Sequence, residues 1–142
     1  MDLETVSAEE FGQSLAGVGI NILTRDVAGL AGFMTAVFGL SAHRVSADFA
    51  ILRHGDALIQ VHADATYGAH PLHGLLPEAG LRGAGIQIYL FGIDPDTAAM
   101  RAEAAGGIVL EPPADKPHGL REATILAPEG QAFSPAVPKA GA

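Results

Sequence analysis

Two stretches of the chain have the pattern of a strand, and each leads into the pattern of a helix. Apolar and β-branched residues cluster at 18–24, and apolar and polar residues alternate at 85–91. Successive side chains of a strand point to opposite faces of a sheet, so both stretches are predicted strands. Asp26 and Asp94 follow them as predicted N-caps, since aspartate satisfies the free N–H groups of a helix start. Gly39 stands where the first helix would be capped at its C-terminus.

Each predicted helix is followed by three short apolar runs with turn residues between them. The runs are 41–45, 49–53 and 57–62 in the first half, and 108–111, 121–127 and 131–136 in the second half. Pro112 and Pro113 are expected to end the run that begins at 108, because proline cannot donate to a strand ladder. The order strand, helix and three strands therefore occurs twice, which is strong information about the fold.

This repetition predicts an α+β fold with two tandem βαβββ units. The openings of the units are nearly the same, Gly-Ile-Asn-Ile at 19–22 and Gly-Ile-Gln-Ile at 85–88. One unit leaves a face of its sheet without a partner, so the two units are expected to pair and enclose a groove. We predict a single domain, 1–142, with an N-terminal helical extension at 1–17 capped by Ser7, units at 18–62 and 84–137, a connector at 63–83, and a frayed tail at 138–142.

Composition narrows the classes of partner. Apolar residues make up 49% and charged residues 17% of the chain, which favours a globular protein. The chain has no cysteine, so disulfides and thiolate metal sites are excluded. The net charge of −8 argues against nucleic acid and would suit a cationic ligand. An acidic start without a signal peptide, and no apolar run long enough for a bilayer, predict a cytoplasmic protein without a membrane partner.

Several short motifs, in their order and spacing, resemble one known group. They are Thr-Arg-Asp-Val at 24–27 leading to Val-Phe-Gly-Leu at 37–40, Ala-Ala-Gly-Gly at 104–107, the loop at 116–122, and Ala-Pro-Glu-Gly at 127–130. The chain resembles an uncharacterised bacterial member of the vicinal oxygen chelate superfamily. This group includes glyoxalases, extradiol dioxygenases, epimerases, and fosfomycin and bleomycin resistance proteins. The resemblance implies a glyoxalase-like curved mixed sheet around a groove.

The resemblance also implies where a metal would be held. Metal-using members place four ligands, usually His, Glu or Gln, on the first and last strands of the two units. The corresponding positions here are Gly19, Gln60, Gly85 and Ser134. Glycine has no side-chain donor and serine is a poor ligand for such ions, so at most one usable ligand remains. We therefore expect neither a metal nor a cofactor.

Strand alternation, combined with the implied groove, selects candidate ligand contacts. The residues on the groove side of the strands, together with one histidine from the loop that would close over the groove, are Asn21, Gln60, His62, Gln87, Tyr89, Ser134 and His118. The amides of Asn21 and Gln87 predict a groove that is polar but uncharged at its centre. His62, Tyr89, His118 and Glu122 are the candidates for a general acid or base, although no pairing among them follows from the sequence.

Three functions remain open at this point. The first is a metal-free protein of the glyoxalase/bleomycin-resistance type that binds a small organic molecule. The second is an enzyme of the same superfamily, a lyase, isomerase or dioxygenase, with relocated site residues. The third is a structural or interaction module. Whether the chain is an enzyme is not decided by the resemblance, because function depends on the site and not on the fold.

The first helix carries a further expectation about assembly. From 27 to 40 no residue is charged, and Thr35 is the only polar one. A helix that is apolar on all sides is usually buried on more than one side. We therefore expect that it packs against a second subunit in a homodimer, or that the N-terminal segment 11–15 covers it.

Overall fold

A short helix precedes the repeat. In the computed structural model of the protein, which describes residues 1–83 and 85–141, helix α1 covers Ala8–Ser14. The backbone N–H of Glu10 donates to the Ser7 hydroxyl oxygen at 3.1 Å, so Ser7 is the N-cap that the sequence predicts. Ala84, the first residue of the predicted second unit, and Ala142, in the predicted frayed tail, lie outside the described residues.

The order strand, helix and three strands is present twice. The first copy consists of β1 (Ile20–Thr24), α2 (Val27–Phe38), β2 (Ser41–His43), β3 (Phe49–His54) and β4 (Ala57–Ala63). The second copy consists of β5 (Gln87–Phe91), α3 (Pro95–Ala102), β6 (Ile108–Asp115), β7 (Leu120–Leu126) and β8 (Ala132–Pro138). Two 3₁₀ helices, Asp64–Tyr67 and Pro71–Leu75, occupy part of the segment that the sequence predicts to be a connector.

Each copy forms its own four-stranded mixed sheet. The strand orders are β1-β4-β3-β2 and β5-β8-β7-β6, and both sheets are open. The pairs β1–β4 and β5–β8 are parallel, whereas the other pairs are antiparallel. The predicted α+β class with tandem βαβββ units is confirmed.

The chain divides into two compact units that largely follow the two copies. Unit 1 contains Met1–Thr35 and Leu40–Leu75, and unit 2 contains Ala36–Gly39 and Leu76–Ala142. In unit 2, helix α3 lies against β6, β7 and β8 of its own sheet. The Arg121 guanidinium on β7 donates to both oxygens of Asp96 on α3 at 2.8 Å, and this hydrogen bonding lowers the pKa of Asp96.

The predicted caps of the two longer helices are confirmed. The Gly29 backbone N–H donates to Asp26 Oδ1 at 2.9 Å. A Cβ at Gly29 would lie 2.2 Å from Oδ2 of the Asp26 carboxylate, so a larger residue there would make the capping side chain shift. The Asp94 carboxylate accepts from the Asp96 backbone N–H at 3.2 Å. Gly39 has a φ of +72°, the left-handed conformation that ends many helices.

The prediction that Pro112 and Pro113 end a strand is wrong. Strand β6 continues through both residues to Asp115, and its register with β7 shifts twice, between Val109 and Glu111 and between Glu111 and Ala114. Two physical reasons allow this. β6 is the edge of its sheet, where one side of the strand has no ladder to complete, and bulges tolerate residues that cannot donate.

Other boundaries differ from the predictions by a few residues. β1 and β5 both begin two residues later than expected, and the flanking Val18 and Ile86 are 92% and 70% exposed. β8 extends to Pro138, which pairs with Leu120, so the predicted frayed tail begins with a paired residue.

Helix α2 buries its large side chains and exposes its small ones. The large buried residues are Leu30, Phe33, Met34, Val37 and Phe38. The exposed residues are Ala28, Gly29, Gly32, Thr35 and Ala36. Within unit 2, the Phe38 ring packs on Phe133 with 5.3 Å between centroids. Among the helices of the described residues, none has the length and apolar character needed to cross a membrane.

Candidate functional site

Strand register places three of the predicted site residues on one side of the unit 2 sheet. Tyr89 on β5 pairs directly with Ser134 on β8, and Gln87 lies two residues before Tyr89. Residues paired across strands, and residues two apart on one strand, share a face. The predicted common orientation of Gln87, Tyr89 and Ser134 is therefore confirmed. We call this side the unit 2 face; it also carries Phe91, Glu122 and Thr124, and His118 from the β6–β7 loop joins it.

A buried carboxylate links two of the predicted residues on this face. Glu122 on β7 is only 4% exposed. The Tyr89 hydroxyl donates to Glu122 Oε2 at 2.7 Å, and His118 Nε2 lies 2.8 Å from Glu122 Oε1. The hydrogen bond to Glu122, followed by burial, raises the pKa of Tyr89. Tyr89, Glu122 and His118 thus form one connected cluster.

This cluster has the geometry of an oriented base. In the neutral tautomer whose Nε2–H donates to the Glu122 carboxylate, His118 Nδ1 is left as a hydrogen-bond acceptor. The His118 side chain is 54% exposed, so the imidazole is reachable from solvent while its carboxylate partner is not. The arrangement can bind a ligand donor or accept a proton.

A second polar group on the unit 2 face is centred on Ser134. This residue is completely buried, and its hydroxyl oxygen accepts from Gln87 Nε2 at 2.7 Å. Thr124 Oγ1 lies 3.3 Å from the same oxygen. Ser134 therefore holds the exposed Gln87 amide in place, whereas Gln87 is the member that a ligand can reach.

Sequence reasoning missed several members of the unit 2 face. It named Glu122 as an acid/base candidate without a partner, and it named neither Thr124 nor Phe91. Phe91 is 59% exposed and its ring stacks on Tyr89 with 5.2 Å between centroids. Alternation along β5 could have indicated Phe91. The expectation of a groove that is polar but uncharged at its centre stays a prediction, and the unit 2 face itself carries the buried Glu122 carboxyl group.

An ion pair also lies close to the cluster. Lys116 in the β6–β7 loop pairs with Glu111 on β6, and the hydrogen bond to Glu111 raises the pKa of Lys116. The sequence analysis ended β6 at Glu111 and did not predict this ion pair. Because Lys116 balances the charge of Glu111, Glu122 is the carboxylate that faces the His118 and Tyr89 side chains.

The unit 1 sheet also gathers its predicted residues on one side. Asn21 pairs with Gln60 across β1 and β4, and Leu23 pairs with His62. The predicted common orientation of Asn21, Gln60 and His62 is confirmed. We call this side the unit 1 face. The His62 ring packs on Phe49, with centroids 5.1 Å apart, and burial lowers the pKa of His62.

The N-terminal extension packs on the unit 1 sheet. Phe11 forms an apolar cluster with Leu3, Val6 and Ile51, and Ile51 pairs with Gln60 and so lies on the unit 1 face. One of the two expectations from the sequence was that the segment 11–15 packs on α2. The structure places Phe11 in a cluster with Ile51 of β3 instead, and the small residues on one side of α2 stay exposed.

The four positions that the fold family uses for a metal do not fit a divalent ion in this chain. Gly19 and Gly85 precede β1 and β5 and have no side-chain donor. The Ser134 hydroxyl is already engaged by Gln87, so Gln60 alone would supply one neutral oxygen. Across residues 1–83 and 85–141, no three His, Asp or Glu side chains come together as a metal site. We derive no chemical step through a metal.

Comparison with solved structures identifies the fold of the chain. No family model matches the chain, and no curated protein matches it in sequence. A glyoxalase/bleomycin resistance protein/dioxygenase family enzyme from Burkholderia phytofirmans superposes with a TM-score of 0.70 at 22% identity, over 98% of this chain and 100% of that one. The chain has the glyoxalase/bleomycin resistance protein/dioxygenase fold. This agrees with the vicinal oxygen chelate resemblance of the sequence.

Two further structures with this fold illustrate its range. A glyoxalase-related enzyme from Fulvimarina pelagi has a TM-score of 0.68 at 17% identity, over 87% of this chain and 88% of that one. A lactoylglutathione lyase from Agrobacterium tumefaciens has a TM-score of 0.61 at 15% identity, over 86% of this chain and 92% of that one. The similarity concerns the fold, so the chemistry of this glyoxalase-fold chain must be argued from its own residues.

Proposed function

We propose that this glyoxalase-fold chain binds a small organic molecule on the unit 2 face, without a metal. The observation that carries the proposal is the buried Glu122 carboxylate with Tyr89 and His118 as its partners. The Gln87 amide and the exposed Phe91 ring lie on the same face. An amide, a phenol, an imidazole and an aromatic ring together suit an organic ligand held by shape and a few hydrogen bonds.

The energetics of Glu122 favour a functional role over a purely structural one. Burying a carboxylate is costly, and replacing a buried charged group by apolar side chains is often neutral or stabilising. A carboxylate can accept about four hydrogen bonds, and the two described here come from side chains that themselves reach the surface. Glu122 therefore fixes the directions in which Tyr89 and His118 present their free polar atoms.

The charge of the face favours a ligand that is cationic or rich in hydrogen-bond donors. Lys116 pairs directly with Glu111 and acts on Glu122 only through longer-range attraction. Among the described residues, the hydrogen-bond partners of Glu122 are the neutral Tyr89 hydroxyl and the His118 imidazole. The net charge of the chain, −8, acts in the same direction over longer distances. We therefore rank cationic ligands first.

A second candidate function is acid/base catalysis, which the orientation of His118 favours. With Nε2 tied to Glu122, the free Nδ1 could take a proton from a bound substrate, and Glu122 would stabilise the imidazolium that forms. This would be an enzyme of the same fold that uses its own side chains. The test is turnover of the ligand found in the binding experiment, with loss of turnover but retained binding in Glu122→Gln.

The predicted homodimer is kept as part of the proposal. The exposed face of α2 carries small residues, and Gly32 has no neighbouring atom within 4 Å of the place where a Cβ would stand. Gly29 lies against the Asp26 side chain, whereas no contact with another described residue accounts for glycine at 32. A second copy of α2 packed on this side would use the flat surface.

The binding proposal is tested by a thermal-shift screen against cationic, neutral and anionic organic molecules, followed by calorimetry of the hits. A ligand of the folded state raises Tm in proportion to its affinity and concentration. Supporting results are saturable binding that weakens in His118→Ala and Gln87→Ala and is unchanged in His73→Ala, a matched exposed histidine of unit 1. Affinity that is equal in all three variants would place the ligand elsewhere and defeat the proposal.

A further inference from the structure

The chain places one of its own tyrosines on the unit 1 face. Tyr67 belongs to the 3₁₀ helix that follows β4, and its hydroxyl oxygen accepts a hydrogen bond from Asn21 Nδ2 at 3.1 Å. Its ring meets the His62 ring edge-on, with 5.4 Å between centroids and an angle of 65°. A phenol side chain thus occupies the position next to two of the predicted ligand contacts.

One ring nitrogen of His62, the residue that the Tyr67 ring contacts, lacks a hydrogen-bond partner among the described residues. This atom, Nε2, is buried. A buried polar atom without a partner costs folding free energy, so such an atom calls for an explanation. Tyr67 contacts the His62 ring while its hydroxyl is bonded to Asn21, and so it covers His62 without satisfying it.

The segment that carries Tyr67 is shaped by local hydrogen bonds. The Thr66 hydroxyl donates to the Ala63 carbonyl at 2.7 Å, and the His70 backbone N–H donates to the Tyr67 carbonyl at 2.8 Å. The Leu72 backbone N–H donates to His70 Nδ1 at 3.0 Å. The His70 and Leu72 bonds lie within the segment, whereas the Thr66 bond reaches Ala63 at the end of β4. The position of the segment on the sheet therefore depends on the Thr66 bond and on the contacts of the Tyr67 side chain.

We propose that the unit 1 face is a binding site for a phenol-type ligand, an aromatic ring with a hydroxyl group, and that Tyr67 occupies it until such a ligand displaces it. A phenol hydroxyl is both donor and acceptor, so one group can accept from Asn21 and donate to His62 Nε2. A free ligand can shift to satisfy both partners, whereas Tyr67 is tied to its backbone. The residues that carry this proposal all belong to unit 1, and the proposal does not depend on the function proposed for the unit 2 face.

The test uses p-cresol, which is the tyrosine side chain as a free molecule, and the full-length Tyr67→Gly variant. We expect saturable binding of p-cresol to Tyr67→Gly by calorimetry, and binding at least ten-fold weaker to the wild type, in which Tyr67 competes. Toluene lacks the hydroxyl and so both of its hydrogen bonds, and it should bind the variant roughly 25- to 100-fold more weakly, the value of about two hydrogen bonds. Asn21→Ala added to Tyr67→Gly removes one of the two bonds and should weaken p-cresol binding roughly five- to ten-fold.

A measurement on the wild type covers the case in which Tyr67→Gly does not fold. Saturating p-cresol should speed hydrogen exchange of the backbone amides at 64–75, because the displaced segment loses its contact with the sheet. His118→Ala should bind p-cresol as the wild type does, which separates this site from the unit 2 face. The proposal is overturned if folded Tyr67→Gly binds p-cresol no better than the wild type, if toluene binds it equally well, or if exchange at 64–75 is unchanged under saturation.

Discussion

Removal of the Tyr89 hydroxyl is the sharpest test of the cluster on the unit 2 face. This hydroxyl donates to Glu122 Oε2 at 2.7 Å, and the same carboxylate is bonded to His118 at 2.8 Å. Tyr89→Phe deletes one of these two partners and keeps the ring that stacks on Phe91. We expect the variant to fold and to be less stable than the wild type, because Glu122 stays buried with fewer hydrogen bonds.

The size of the loss follows from the charge and the burial of the pair. A hydrogen bond to a charged group contributes about 1.5–3 kcal/mol, compared with about 0.5–1.5 kcal/mol for a neutral pair. Because Tyr89 is half-buried, solvent screens part of the interaction, and we expect the lower end, about 1.5 kcal/mol. For a chain of 142 residues this corresponds to a fall in Tm of roughly 5 °C.

The assay is a double-mutant cycle with Glu122→Gln, followed by thermal or urea unfolding. Glutamine keeps the shape of Glu122 without its charge, so Tyr89→Phe should cost about 1 kcal/mol less in that background.

A second readout is tyrosinate absorbance. The chain has two tyrosines and no tryptophan, so a Tyr67→Phe background reports Tyr89 alone.

The titration has a definite sign. The bond to Glu122 raises the pKa of Tyr89 above its ordinary value of 10.0, since the carboxylate favours the protonated phenol. Glu122→Gln should therefore move the midpoint back toward that value. The coupling of Tyr89 to Glu122 is absent if Tyr89→Phe lowers the free energy of unfolding equally beside Glu122 and beside glutamine, and if the titration midpoint of Tyr89 does not respond to Glu122→Gln.

Three further predictions address other parts of the molecule. Burial lowers the pKa of His62 below 6.5, so as the pH falls this histidine is protonated in the unfolded chain before it is protonated in the folded chain. The free energy of unfolding should therefore decline below about pH 6.5. The midpoint of urea unfolding should fall less over this pH range in His62→Gln than in the wild type. Light scattering should give twice the 14.5 kDa chain mass, with Gly32→Arg returning the single-chain mass; a wild type at one chain mass removes the dimer. Zn, Ni, Mn and Fe(II) should leave Tm unchanged, because Gln60 is the one usable ligand at the family's metal positions, whereas stoichiometric metal with a large rise in Tm would contradict this.

The sequence was sufficient for the order of the elements and for the faces of the strands. Local rules account for this success. Asp26 and Asp94 cap helices through bonds to nearby N–H groups, and alternation along a strand determines which residues share a face. The repeated openings at 19–22 and 85–88 then identified the two copies, although each strand begins two residues later than predicted.

Local rules do not determine which side chains meet across strands. Tyr89 and Glu122 are 33 residues apart, and their contact depends on how β5, β8 and β7 are ordered in the sheet. The same holds for Asn21 and Tyr67, which are 46 residues apart. The path of β6 through Pro112 and Pro113 depends on its place at the sheet edge, which the apolar pattern does not report.

The central claim, that the unit 2 face binds a small organic molecule, is tested most directly by NMR. Two-dimensional spectra of the isotope-labelled protein would be recorded during titration with the best hit of the ligand screen. We expect saturable shifts at the amides or side chains of Gln87, Tyr89, His118 and Glu122, and loss of these shifts in His118→Ala. Saturable shifts confined to other parts of the chain, with these four residues unmoved, would contradict it.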